Sequence, residues 1–265
     1  MPSPPRRRLD VWLALCGLAE SREKAQALIM AGRVSVDGRP ALKAGARVAS
    51  DAQIAVLPGP QHVGRGGLKL EGALDSFGVD PAGRVAVDVG ASTGGFTEVL
   101  LERGATRVYA VDVGHNQLHE RLRGDPRVVV REGVNARSLS QDHVSEACGI
   151  AVTDVSFISV LKILPALRPL LTPEADVVTL VKPQFELRRR DVGRGGIVRD
   201  PDLHRQALRG VASIAQSQIG FVMVAACASP ITGADGNREF FLHLRTSAEP
   251  LSPDAWDAVL AAALE

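Results

Sequence analysis

Three acids, a lysine and a glycine-rich loop stand where apolar runs of this chain give out. Asp88 lies at the end of the run Val85–Val89 and opens Asp88-Val-Gly90-Ala-Ser92-Thr93-Gly94-Gly-Phe-Thr, which leads into a helical pattern. Glycines there let backbone approach a ligand closely. The spacing departs from the dinucleotide pattern GxGxxG, so a nicotinamide-type dehydrogenase is disfavoured. A strand-ending carboxylate instead suits a ligand that carries a cationic sulfonium and an amino group. Asp112 ends the next run, in Val111-Asp-Val-Gly-His, where it can accept both hydroxyls of a nucleoside ribose.

Asp154 ends the run Ile150–Asp154 in Thr153-Asp-Val-Ser-Phe-Ile-Ser, and Lys182 ends the following one in Leu180-Val-Lys-Pro-Gln-Phe. The carboxyl edge of a parallel sheet is where ligands bind. A lysine there, behind a fully apolar stretch, is costly unless it is paired, so a functional pair is expected.

These residues share an edge only if their runs are strands of one parallel sheet. Strands are expected at Val85–Val89, Val108–Val113, Val128–Val130, Ile150–Asp154, Val177–Val181, Phe221–Cys227 and Glu239–Leu244. Helices are expected over Lys69–Phe77, from about Thr97, over Asp202–Gln218 and after Pro253. That alternation predicts an α/β fold. Ahead of it, the Pro-rich residues 1–5 are expected to be disordered. Leu9, Val11, Trp12, Leu15 and Leu18, then Ala25, Leu28 and Ile29, recur at helical spacing, the second set between a cap at Ser21 and Gly32. A hairpin turning at Asp37-Gly38 and a strand over Val48–Leu57 complete a small module. Pro58-Gly-Pro60 reads as a linker, giving domains at 6–58 and 64–265 with 59–63 between them.

The 265 residues carry a net charge of only +1, but residues 1–70 hold 11 Lys and Arg against 5 Asp and Glu. A basic end on a near-neutral chain is the footprint of a nucleic-acid-binding module. Aromatics make up 4% of the chain, which weighs against a broad base-stacking platform and for recognition by shape and backbone. Cys16, Cys148 and Cys227 are odd in number and widely spaced, which disfavours a disulfide framework or a structural zinc site. They read as small core residues in a reducing compartment. No signal-type apolar region follows Arg6–Arg8, no run of about twenty apolar residues occurs, and no metal site is evident. A cytoplasmic protein without a membrane partner is expected.

The ordered set of motifs resembles the TlyA family of rRNA 2′-O-methyltransferases, whose catalytic domain is similar to FtsJ-type enzymes. Arg8-Leu-Asp through Ser21-Arg-Glu-Lys-Ala and Gly32-Arg-Val-Ser-Val-Asp-Gly resembles the RNA-binding alpha-L motif of ribosomal protein S-four. Arg65-Gly-Gly-Leu-Lys69-Leu, the Asp88 loop, Asp154-Val-Ser-Phe-Ile-Ser, Val181-Lys-Pro-Gln-Phe-Glu186 and Gly233-Ala-Asp-Gly-Asn-Arg-Glu239 extend the match along nearly the whole chain.

The resemblance implies a Rossmann-like class I S-adenosylmethionine methyltransferase sheet behind a small α+β S-four-like domain. It places a catalytic Lys-Asp-Lys-Glu tetrad on Lys69, Asp154, Lys182 and Glu239, with Lys182 as the base or the orienter of a ribose 2′-hydroxyl. S-adenosylmethionine would be held by Asp88, Gly90, Ser92, Thr93, Gly94, Asp112 and Asn135. The implied substrate is a cytidine 2′-hydroxyl of 16S and 23S rRNA in the small and large ribosomal subunits. Action on both is implied by the final helical segment, Pro253–Glu265, a mark of the longer family members. Arg6, Arg7, Arg8, Arg22, Lys24, Arg33, Lys43 and Arg65 are candidates for RNA phosphates; Arg188 and Arg194, in an Arg-rich loop, are candidates for holding the target strand. One stretch departs from the family: Arg-x-Trp-Val before the catalytic domain is replaced by Pro60-Gln-His62-Val63, which weakens the implication of a cofactor-coupled linker switch and leaves the tetrad untouched.

Three rivals are weighed against this reading. A catalytically inactive RNA-binding protein is disfavoured by retention of the tetrad. A haemolysin-like pore finds no membrane-spanning pattern. A pseudouridine synthase would use Arg8-Leu-Asp10, but that tripeptide falls in the first small helix and the Asp88 loop would have no purpose.

Overall fold

A computed structural model of the chain describes residues 6–30, 34–41, 43–56, 62–233 and 235–265. The chain divides into two compact units, residues 1–61 and 62–265. The expected disorder at 1–5, the cap at Gly32, Arg33 and the linker at Pro58–Pro60 lie outside the described residues.

The first unit runs β1 (Arg6–Arg8), α1 (Leu9–Leu15), α2 (Arg22–Met30), β2 (Val34–Val36), β3 (Arg39–Pro40), β4 (Arg47–Ala49) and β5 (Ile54–Val56). The helical spacing places Leu9, Leu13, Ala25 and Ile29 in one core with Val34 and Val48. The hairpin turns where expected, with Asp37 and Gly38 both at positive φ, 50° and 75°, as a two-residue turn between twisted strands requires. The single strand expected over Val48–Leu57 is instead two. A turn at Ser50-Asp51 separates β4, which pairs antiparallel with β1, from β5, which pairs with β2. The pairing of β1 explains the difference: Arg6–Arg8, too short and charged to read as a strand, recruits Arg47–Ala49 away from the other sheet.

The second unit contains α3 (Gly66–Phe77), β6 (Val85–Val89), α4 (Gly95–Glu102), β7 (Arg107–Val111), α5 (Glu120–Arg123), β8 (Val128–Arg131), β9 (Cys148–Thr153), α6 (Leu164–Leu167), β10 (Leu171–Val181), α7 (Pro183–Glu186), α8 (Pro201–Ile214), β11 (Val222–Ala228), β12 (Phe240–Arg245) and α9 (Pro253–Ala262). Seven strands form one sheet in the order β11-β12-β10-β9-β6-β7-β8. All are parallel except β12, which runs against both of its neighbours. Side chains alternate between two buried faces: Val87, Ala151 and Val177 pack into one core, and Ala86, Ile150 and Val178 into the other. Both faces being covered is why these strands read as continuous apolar runs. Among the described residues no helix is long and apolar enough to cross a membrane. Cys148 is buried as expected, but Cys16 is exposed because α1 ends there.

Candidate active site

The sheet register brings the strand-end residues together. β9 and β10 run parallel with Thr153 opposite Thr179, so Asp154 and Lys182 leave the sheet as neighbours. The Nζ of Lys182 lies 2.6 Å from Asp154 Oδ1 and donates to Ser156 Oγ at 2.9 Å. Because β12 is antiparallel to β10, Phe240 pairs with Val181, and Glu239 arrives at the same edge by starting a strand rather than ending one. Lys69, on α3, donates to Glu239 Oε2 at 2.7 Å and lies 3.8 Å from Asp154 Oδ2. Lys69, Lys182 and Glu239 are 9%, 8% and 4% exposed. Two buried ammonium groups and two carboxylates thus form one chain of pairs, with Asp154 shared between the lysines, and no charge is left unpaired. Gly233 makes room for it: a Cβ there would sit 2.5 Å from Glu239 Oε1.

A cleft of about 550 Å³ opens at this edge and includes Asp154 and Ser156 in its wall. Gly90, Ser92, Asp112 and Asn135 also line it. Asp112 is held by two backbone donors, Ser92 N–H to Oδ2 at 2.8 Å and Gly114 N–H to Oδ1 at 2.7 Å. Each carboxylate oxygen keeps acceptor capacity for a diol. Asn135 caps the turn Ala136–Ser138 through Oδ1, 3.1 Å from Arg137 N, leaving its amide N–H groups for a ligand. Gly90 adopts φ 87°, and a Cβ there would overlap the carbonyl oxygen of Asp154. The glycine is therefore required by the Asp154 backbone as well as by any ligand.

Asp88, Thr93 and Gly94, expected at the cofactor, lie outside the cleft wall. Asp88 is fully buried and accepts from Thr97 Oγ1 at 2.7 Å through Oδ2, while Oδ1 has no hydrogen-bond partner. Burial raises its pKa to about 7 against the opposing Thr97 bond. Gly94, at φ 99°, is required by packing, since a Cβ there would overlap Leu122.

Phe157 and Glu186 carry no functional expectation from sequence, yet both shape the site. Phe157 is 92% exposed at the cleft with φ 63°, a strained placement for a bulky residue. Its ring meets Phe185 at 5.4 Å between centroids. Glu186 accepts from Ser159 Oγ at 2.5 Å and from Val160 N–H at 2.8 Å, and burial pushes its pKa up. The loop after β9 is thus tied to the segment after β10 at Lys182, Phe185 and Glu186. A phenylalanine three residues after a strand-ending acid, in Asp154-Val-Ser-Phe-Ile-Ser159, is the available signal.

Of the candidates for RNA, Arg6, Arg7, Arg8, Arg22, Lys24, Lys43, Arg65 and Arg188 are exposed. The side chain of Arg194 lies outside the described set. Arg8 and Arg22 are also tied down: Asp10, 0% exposed, accepts from Arg8 Nη2 at 2.8 Å, Arg22 Nε at 3.0 Å and Gln26 Nε2 at 2.9 Å. The Arg8 hydrogen bond, joined by those from Gln26 and Arg22, holds the Asp10 carboxyl well below the usual range despite its desolvation. Asp10 thus has a structural role inside the first unit, which disfavours the pseudouridine synthase reading. At the start of the second unit, buried His62 sits within 3.4–3.8 Å of the carboxylates of Glu71, Glu98 and Glu102, and Glu98 also accepts from Val63 N–H at 2.5 Å.

The family model for FtsJ-like methyltransferases matches residues 62–246, and that for the S4 domain matches residues 7–54. A protein of Mycobacterium tuberculosis named 16S/23S rRNA (cytidine-2′-O)-methyltransferase TlyA is 47% identical over 92% of this chain and 91% of its own length. Hemolysin A of Brachyspira hyodysenteriae is 43% identical over 89% of this chain and 98% of its own. A solved structure of a candidate hemolysin from Streptococcus thermophilus matches with a TM-score of 0.74 at 41% identity, covering 98% of this chain and 96% of that one. With both domains matched in order and relatives this similar along almost their full length, the chain belongs to the TlyA family of FtsJ-like methyltransferases.

Proposed function

We propose that this chain transfers a methyl group from S-adenosylmethionine to the ribose 2′-oxygen of cytidine in 16S and 23S rRNA, on the ribosomal subunits. The observation that carries the reading is the paired set Lys69, Glu239, Asp154 and Lys182, whose shared member Asp154 lines a cleft of nucleoside size. The cleft fits the cofactor: Asp112 offers acceptors for a ribose diol and Asn135 offers donors for an adenine. When bound, S-adenosylmethionine supplies a methyl group on a positively charged sulfur.

The chain supplies position and proton handling. A ribose hydroxyl is a poor nucleophile, so its proton must be drawn off as the new bond forms. Lys182 Nζ takes or directs that proton. Asp154 holds the two lysines in register, and Glu239 holds Lys69. Much of the rate comes from fixing the hydroxyl at a short distance in line with the transferred group. Exposed Arg6, Arg7, Lys24 and Lys43 in the first unit, and Arg65 and Arg188 in the second, supply the electrostatic attraction for RNA. The name of the Mycobacterium tuberculosis relative supports action on both rRNAs.

The test uses ribosomal subunits from a strain lacking this gene, incubated with the protein and labelled S-adenosylmethionine. The expected result is a mapped 2′-O-methyl group on cytidine in both subunits, formed at least about a hundredfold more slowly by Lys182→Ala. Cofactor binding without label on either subunit would overturn the rRNA assignment.

A further inference from the structure

The hydroxyl of Ser156 occupies a position that the tetrad leaves unexplained. It accepts from Lys182 Nζ at 2.9 Å while Asp154 Oδ1 lies 2.6 Å from the same nitrogen. To act as a base the Lys182 ammonium of the resting site must first release a proton to solvent; the neutral amine then has two N–H bonds and one lone pair, arranged tetrahedrally. With both N–H bonds engaged by Asp154 and Ser156, the lone pair is confined to a remaining corner. Without Ser156, rotation about the Cε–Nζ bond would let it point elsewhere.

Three neighbouring constraints hold Ser156 in place. Asp154 N–H donates to Val89 O at 3.0 Å. Phe157, next in the chain, is pinned at φ 63° against Phe185. Glu186 clips Ser159 and Val160 to the segment that carries Lys182. The loop that presents Ser156 and the strand end that presents Lys182 are therefore fastened at both ends of the contact, and both Ser156 and Asp154 face the cleft.

We infer that Ser156 is a positioning residue that aims the Lys182 amine at the acceptor hydroxyl; the inference rests on the function proposed above. In the step it serves, the 2′-O–H bond breaks with its electron pair staying on oxygen, oxygen forms the bond to the methyl carbon, and the proton passes to the Lys182 lone pair. The methyl–sulfur pair leaves with sulfur as a neutral thioether. Ser156 exchanges no proton.

The experiment compares the parent protein with Ser156→Ala and Ser156→Thr, each also in a Lys182→Ala background. Methylation of ribosomal subunits is measured at saturating S-adenosylmethionine. Loss of one aiming hydrogen bond is worth about tenfold in kcat. Ser156→Ala should show that loss with KM for the subunit unchanged, Ser156→Thr should recover most of it, and Ser156→Ala should cost nothing further once Lys182 is alanine. In parallel, competitive acetylation with acetic anhydride reads Lys182 directly by mass spectrometry, with no need for substrate. Its labelling should rise several-fold in Ser156→Ala and return towards the parent rate in Ser156→Thr. Unchanged labelling in Ser156→Ala overturns the inference whatever the substrate. So does a kcat loss that persists in the Lys182→Ala background. A parent protein inactive on rRNA but with the expected labelling difference overturns the proposed substrate and leaves the Ser156 contact standing.

Discussion

Asp154 stands between two lysines, 2.6 Å from Lys182 and 3.8 Å from Lys69. Its removal and that of Lys182 should therefore differ in kind. Lys182→Ala leaves Asp154 with Lys69 and removes the proposed proton handler; kcat should fall by about 10²–10⁴ with little loss of stability. Asp154→Ala leaves two buried lysines without their common carboxylate and should cost about 3–5 kcal/mol. Urea unfolding of both variants beside their methylation rates checks the ordering; equal destabilisation would contradict it.

In the proposed function Asp112 bears on binding rather than chemistry. Asp112→Ala removes acceptors in the cleft and frees the backbone donors of Ser92 and Gly114. At about 1.5–3 kcal/mol for hydrogen bonds to a charged group, the dissociation constant for S-adenosylmethionine should rise roughly ten- to a hundredfold. Isothermal titration calorimetry measures it, and affinity for RNA alone should be unaffected.

Asp88 makes stability depend on pH. Unfolded, it loses its proton near pH 4; folded, it keeps it up to about 7. Between those values folding takes up a proton, so this group's contribution to stability falls as pH rises, by up to about 1.4 kcal/mol per unit. Asp88→Asn cannot ionise. Melting temperatures from pH 4 to 7 should show a flatter decline for the variant than for its parent.

Asp10 works with the opposite sign. Its carboxyl is held below the usual range by Arg8 first, then Gln26 and Arg22, so its stabilisation is present above about pH 4 and is lost as pH falls further. Asp10→Ala should unfold the first unit at lower temperature and weaken RNA binding, since Arg8 and Arg22 lose the anchor that aims them. A filter-binding salt titration and a thermal melt together test this. RNA affinity unchanged at equal folding would remove the aiming role.

Gly90→Ala tests the close approach. At φ 87°, with the Asp154 carbonyl in the way, the substitution has no relaxed conformation. It should cost more than about 1 kcal/mol and impair cofactor binding by the same displacement.

The sheet was legible because strands covered on both faces read as apolar runs: Val85–Val89 came out with both ends right and the others within about two residues, except β10, which starts at Leu171 rather than Val177. Lys182 and Asp154 could be paired because each ends such a run. Glu239 and Lys69 could not be placed by spacing, since one depends on a reversed strand and the other on where α3 packs; resemblance supplied them. Ser156 and Phe157 gave no periodic signal, because what fixes them is a positive φ and contacts to Phe185 and Lys182 from another segment. The split between β4 and β5 was hidden for a similar reason: it is set by a partner strand of three arginines with no strand-like pattern of its own.

The reversed strand β12 lies between β10 and β11, although both precede it in the chain. During synthesis its two neighbours emerge first and cannot pair with each other in their final places; the gap between them waits for residues 240–245. Glu239 enters with that strand. The four-residue site is consequently closed by nearly the last sheet segment to be translated, so a nascent chain holding the glycine loop and both lysines is still without its final carboxylate. A complete site thus comes only to a copy whose own translation has passed that strand.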